Sequence, residues 1–272
     1  YEMIQEFYAG SPMTRLRYYF THKEDSESEK IRQVRLQLPA PWAQGDDARA
    51  FVWLDGDEVA ESAGQVSVNQ HDLDAAKVMA GDDVTEAGRT RGWARLSADG
   101  GLSVATRWWW EKFPKAVEVG PQGIALDLIP RDSHMVFSDG PFVLYQGECL
   151  GHEVLVSFDP PGADPGSADV FGAFRSPPLA TPDPQYACGT LALGEVAPEN
   201  ELRFPAYEAR IDRMHDGYIA KREKRKEYGM ENFGDDTFEW GYGPSYTFWS
   251  NQEYDHHHGF LMEYLRSGDR RY

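Results

Sequence analysis

Residues 232–258 hold a dense concentration of amide, carboxylate, imidazole and aromatic side chains. Asn232, Asp235 and Asp236 lead into Trp240, Tyr242 and Tyr246, and Trp249 then precedes Asn251, Tyr254, Asp255 and the run His256-His257-His258. A stretch so rich in glycine, amides and aromatic rings makes a poor core. It makes a good rim for a saccharide cleft, where rings stack and amides bond hydroxyls. Tyr254, His257, His258 and Asn251 are the candidate catalytic groups, and Tyr242, Tyr246, Trp249 and Trp240 the candidate substrate-binding groups. These residue types suit β-elimination across a uronic acid. The proton at C5 is weakly acidic, so the carboxylate beside it must be neutralised by Arg, an amide, a protonated His or a cation. A Tyr or His within hydrogen-bond reach then takes the proton. An acid, in some cases the same tyrosine, protonates the leaving oxygen. Hydrolysis stays open as well, since Asp236, Glu239 and Glu253 would supply the paired carboxylates it needs.

The element that must position these groups is a helix, predicted from Asn251 to Arg266 and terminated at Gly268. At about 100° per residue, Phe260, Leu261, Met262, Tyr264 and Leu265 define its apolar arc. Asn251, Tyr254, His257 and His258 fall in or beside that arc, and His256 points outward. Tyr254 and His258 are four apart and share a face. Three consecutive histidines on a helix cannot converge on one metal, so no metal ligands are assigned. A divalent cation is the one cofactor the chemistry leaves room for. A hydrogen-bonded core histidine is the competing role for His257.

Upstream, a second helix is predicted over residues 207–227, with the charged run 221–226 as its solvated face. Residues 1 to about 85 alternate as strands do, as in Arg15–Phe20 and Ile31–Leu38, with Phe51–Leu54 running into a turn and Ala75–Ala80 as a short helix. Residues 88 to about 208 carry the clearest β pattern. Hairpins are predicted at residues 92–109, at 116–129, and between Phe142–Tyr145 and His152–Phe158. On the first of these, Trp108 and Trp110 should face one side of a strand and Trp109 the other, all three for packing. Short antiparallel strands joined by Gly and Pro turns indicate a sandwich.

The formal charge of −18, from 27 basic against 45 acidic residues, excludes a general nucleic-acid function. A local Arg or Lys cluster in a cleft would still admit an anionic substrate. Such an acidic surface also suits work at high ionic strength. No apolar run reaches transmembrane length, so no membrane partner is expected. Cys149 and Cys188 leave one disulfide open. Both ends read as cuts within a longer polypeptide, whose remaining part is the expected partner of this one.

Three ordered stretches resemble the exo-acting rhamnogalacturonan lyase family. The first is Arg91-Gly92-Trp93-Ala94-Arg95 through Arg107-Trp108-Trp109-Trp110 to Lys115. The second is Gly147-Glu148-Cys149-Leu150-Gly151-His152-Glu153, with Pro205-Ala206-Tyr207-Glu208 later. The third is Glu227-Tyr228-Gly229-Met230-Glu231-Asn232-Phe233-Gly234-Asp235, then Asn251-Gln252-Glu253-Tyr254-Asp255. The resemblance implies a mostly β chain with C-terminal α: part of an N-terminal RIFT-barrel-like β domain at 1–87, a central antiparallel β-sandwich at 88–208, and the first helices of an α/α toroid at 209–272. It implies a secreted or periplasmic polysaccharide lyase acting on an acidic glycan such as rhamnogalacturonan or ulvan. The motif positions carried over are Asn251, Tyr254 and His257 or His258. Because the family's catalytic groups lie largely in the toroid, this chain alone is expected to lack turnover. The alternatives are a non-catalytic carbohydrate-binding sandwich and a glycoside hydrolase on a helical toroid.

Overall fold

Alternating apolar and polar side chains produce strands over most of the first 160 residues, and the character of the chain then changes to helix. The structure, a computed structural model, describes residues 1–43, 45, 47–56, 58–131, 133–134, 140–160, 168–192, 194–231, 233, 237–239, 247–249 and 255–272, without the side chains of 168, 169, 237–239 and 247–249. It divides into two compact units, Tyr1–Pro177 with Tyr228–Glu231, and Pro178–Glu227 with Asn232–Tyr272. The protein is mostly antiparallel β, followed by helices.

Two antiparallel sheets form the first unit. One runs in the order β1 (Glu2–Phe7), β2 (Met13–Thr21), β15 (Cys149–Asp159), β11 (Gly100–Thr106), β10 (Trp93–Ala98), β5 (Arg49–Trp53), β6 (Val59–Ser62). The other runs β4 (Val34–Pro39), β13 (Gly123–Ile129), β12 (Lys115–Gly120), β7 (Val66–Asp72), β8 (Ala75–Ala80), β9 (Asp83–Ala87). A short ribbon pairs β3 (Ser28–Lys30) with β14 (Val143–Tyr145), and α1 is Ala168–Arg175. The inner faces meet in one core, with Val52, Leu96, Leu102, Val104 and Val156 from the first sheet against Val68, Val78, Val117, Ile124 and Leu126 from the second. Each such side chain contributes about 1.5–3 kcal/mol by leaving water. Ion pairs join strands in both sheets: Arg95, 2% exposed, meets Asp159 at 2.9 Å, and Arg35 meets Asp127 at 2.7 Å.

The second unit holds α2 (Pro184–Gly189), α3 (Pro205–Arg225), a two-stranded ribbon of β16 (Thr237–Glu239) and β17 (Thr247–Trp249), and α4 (His256–Ser267). Asp183 caps α2, its carboxylate accepting from the Tyr186 N–H. Left-handed residues, Lys226 and Gly268, end α3 and α4. Among the described residues no helix is long and apolar enough to cross a membrane.

Several expectations are corrected. Residues 87 and 88 do not separate two β domains, because strands from either side pair within both sheets: β2 with β15, β5 with β10, β4 with β13 and β7 with β12. The sandwich accordingly spans residues 2–159, and residues 178–208 fall with the helices. Ala75–Ala80 is a strand, not a helix, with Ala76 and Val78 buried and Lys77 and Met79 exposed. The strands at 143–145 and 149–159 do not pair with each other, because β15 lies between β2 and β11. Trp108–Trp110 form a turn rather than a strand, with Trp108 at φ 50°, but Trp109 alone is sealed in the core. Both cysteines carry free thiols, Cys149 exposed and Cys188 buried.

One buried polar contact bears on stability. Lys115 is fully buried at the head of β12, and its Nζ lies 3.2 Å from Nδ1 of His152 on β15. Burial holds the Lys115 amine well below its ordinary 10.5 and the His152 imidazole well below 6.5, each further lowered by neighbouring lysine charge. The unfolded chain therefore binds more protons than the folded one, and stability rises with pH across both windows. His152's contribution is lost as pH falls below 6.5, and the cost of neutral Lys115 is relieved as pH climbs toward 10.5. Lys115→Met is expected to remove a slope of about 1.4 kcal/mol per pH unit on the alkaline side. Urea unfolding at a series of pH values reads it, and an unchanged slope would show that Lys115 is protonated in the fold.

Candidate functional site

In the helical unit, α3 turns Glu208, Ile211, His215 and Tyr218 away from solvent along one stripe, while most of its other side chains stay exposed. α4 answers with His256, Phe260, Glu263 and Arg266. The Phe260 ring lies 5.8 Å from His215 and 5.2 Å from Tyr218, both edge-on, and the Tyr218 ring lies 6.1 Å from His256. Between the helices is an open groove of about 400 Å³, lined by Met214, His215, Tyr218, Lys221, His256 and Glu263 among others. Its floor is apolar and its rim carries two imidazoles, a phenol, an ammonium and carboxylates. These are groups of the kind that move protons and neutralise acids.

An ion pair closes the far end of the helix pair. The Arg266 guanidinium donates to both oxygens of Glu208 at 2.7 and 3.0 Å, to Glu263 at 2.6 Å and to the Ala197 carbonyl at 3.0 Å. The Asn200 N–H adds a further bond to Glu208. This hydrogen bonding holds the Glu208 carboxyl below its ordinary 4.5. Arg266 is thus committed to structure. Beside it, the Tyr264 hydroxyl meets Thr181 Oγ1 at 2.8 Å and donates to the Ala180 carbonyl.

Of the expected site residues, Asn251, Tyr254, Tyr242, Tyr246 and Trp240 lie outside the described residues, as does the side chain of Trp249, whose backbone ends β17. His257 and His258 are on the first turn of α4, and both are exposed. The helical-wheel reading of the histidines is corrected: His256 faces α3, and His257 and His258 face solvent. The apolar arc placed the contact face too near Leu261, which is 59% exposed. Aromatic contact through Phe260 and the Arg266–Glu208 pair turn the helix away from that arc. His215, Tyr218 and Lys221 were missed, although their spacing on α3 is readable as one helical face. Among the described residues no group of three or more His, Cys, Asp or Glu is arranged to hold a metal.

No family model matches the chain, and no curated protein does.

Proposed function

We propose that this chain is part of a polysaccharide lyase that cleaves a uronate-containing glycan by β-elimination, related to the exo-acting rhamnogalacturonan lyases and exported from the cytoplasm. In this reading the two sheets are the β portion and the helical unit opens an α/α toroid. The observation that carries it is the α3–α4 groove. Tyr218 and His256 stand side by side there as candidate base and acid, and Lys221 is the cation able to offset the uronate carboxylate. An apolar floor fits the face of a sugar ring. Asn251 and Tyr254 adjoin the start of α4 in sequence and belong to the same proposal.

The test is incubation of the full-length polypeptide with uronate glycans, following the ultraviolet absorbance of the C4–C5 double bond that elimination creates. New reducing ends without that absorbance would replace the lyase with a hydrolase. Saturable binding with no new ends of either kind would leave a carbohydrate-binding module.

A further inference from the structure

We infer that the β unit carries a second saccharide site, a basic pocket beside the entry to β10 that takes the oxyanion of an acidic sugar, either a carboxylate or a sulfate ester. The pocket measures about 480 Å³, and its walls include Arg89, Arg91, Arg175, Trp93, Trp110 and Asp55. In a chain of net charge −18, three guanidiniums around one cavity stand out. Arg89 Cζ lies 4.3 Å from the Trp110 ring centre, Arg175 5.7 Å from the same ring, and Arg91 4.8 Å from Trp93. Such stacking fixes each guanidinium plane, which is the preorganisation that bidentate capture of an oxyanion needs.

The frame behind the pocket is rigid. Thr90 donates through its N–H and its hydroxyl to Gln70 Oε1, at 2.9 and 2.8 Å. Its hydroxyl oxygen also accepts from the Trp109 indole at 2.8 Å. Gln70 is itself fully buried and donates to the Asp72 and Gly88 carbonyls. Gly92, at φ 67°, lies against Trp109, and a Cβ there would come within 2.3 Å of the indole. No other residue fits, so the backbone that presents Arg91 and Trp93 is held in one place.

Carboxylates already stand in this region: Asp74 bonds Arg89 at 2.8 Å, and Glu111 bonds Arg175 at 2.9 Å. Asp55 lies in the wall. The Asp74 pair is at the surface, where such bonds contribute about 0–1 kcal/mol and yield to a better partner. Arginine stacks on both indoles, so a plain neutral sugar would have to compete for the rings. An oxyanion binds the guanidinium edges and leaves the stacks intact. This choice of ligand class rests on the uronate reading above, whereas the pocket does not depend on elimination chemistry.

The test is titration of the chain with a uronate oligosaccharide, a sulfated oligosaccharide and their neutral counterpart, read by tryptophan fluorescence and calorimetry. One or both acidic ligands should bind, more weakly at higher salt, and the neutral one should not. Arg91→Gln should weaken binding by about tenfold or more. Arg175→Gln, on α1, should weaken binding similarly, and because it also takes the partner of buried Glu111, urea unfolding of the variant accompanies the titration to show that the β unit is still folded. Equal binding of the neutral sugar, or unchanged affinity in Arg175→Gln, would overturn the site and leave the arginines as packing. Binding lost in both variants alongside an absence of unsaturated product would uphold this site while removing the lyase.

Discussion

Trp109→Ala is expected to destabilise the β unit by about 4 kcal/mol, within the 3–5 kcal/mol typical of emptying a large aromatic from a core. Trp109 is 1% exposed and packs within the main apolar cluster. Three losses coincide in this variant. A large buried ring is lost from the main apolar cluster and leaves a cavity. The Thr90 hydroxyl loses its indole donor. Gly92 loses the ring its backbone rests on, so the turn into β10 slackens. Trp109→Phe should recover much of the packing and none of the hydrogen bond, and so fall between. Denaturant unfolding of the three proteins measures this. A loss in Trp109→Ala below about 2 kcal/mol would mean the surroundings close over the gap.

Glu208→Ala should cost the helical unit about 3 kcal/mol, the low end of what breaking a buried ion pair costs. Glu208 and Arg266 are 4% and 7% exposed, and the variant removes two bonds from a buried guanidinium, leaving it those to Glu263 and the Ala197 carbonyl. The Asn200 N–H loses its acceptor at the same time. Hydrogen exchange is the sharpest readout: amides of α3 and α4 should lose protection while those of β10–β13 keep theirs. The same pair gives a pH dependence of definite sign. Because Glu208 has a lowered pKa, its stabilisation is present above 4.5 and fades as pH falls through that value and below. Protection in α4 that is indifferent to both the substitution and acid would show that Glu263 and the Ala197 carbonyl suffice to hold Arg266.

Where turns are local, the strand pairing was legible in the residues. The Ala98-Asp99-Gly100-Gly101 and Gly120-Pro121-Gln122-Gly123 turns predict the β10–β11 and β12–β13 hairpins, and both form. Pairing between distant strands was not legible. Nothing in residues 143–158 announces that β15 will insert between β2 and β11, since that choice depends on which apolar faces meet in three dimensions. Alanine-rich Ala75–Ala80 has helical propensity, and burial of Ala76 and Val78 against the opposite sheet overrides it. In the helical unit, Arg266 looks like a solvated charge at a helix end. Only the position of Glu208, 58 residues earlier, makes it a buried anchor. The arginine pocket was equally hidden. Its parts come from β5–β6, the approach to β10, the turn after β11 and α1, and no single window of sequence contains them.

The interleaving of the sheets also dictates when this protein can fold during its synthesis. β2 and β4 are made well before their inner neighbours: Thr21 pairs with Cys149, and Pro39 with Gly123. Until Asp159 has emerged, β2 has only the edge strand β1 beside it and β11 has one open side. Ordering such remote pairs requires closing long loops before any contact rewards them, so the β unit should fold slowly and late for its size. Nascent chains arrested before β15 would present two unpaired strand flanks to the chaperones that receive them.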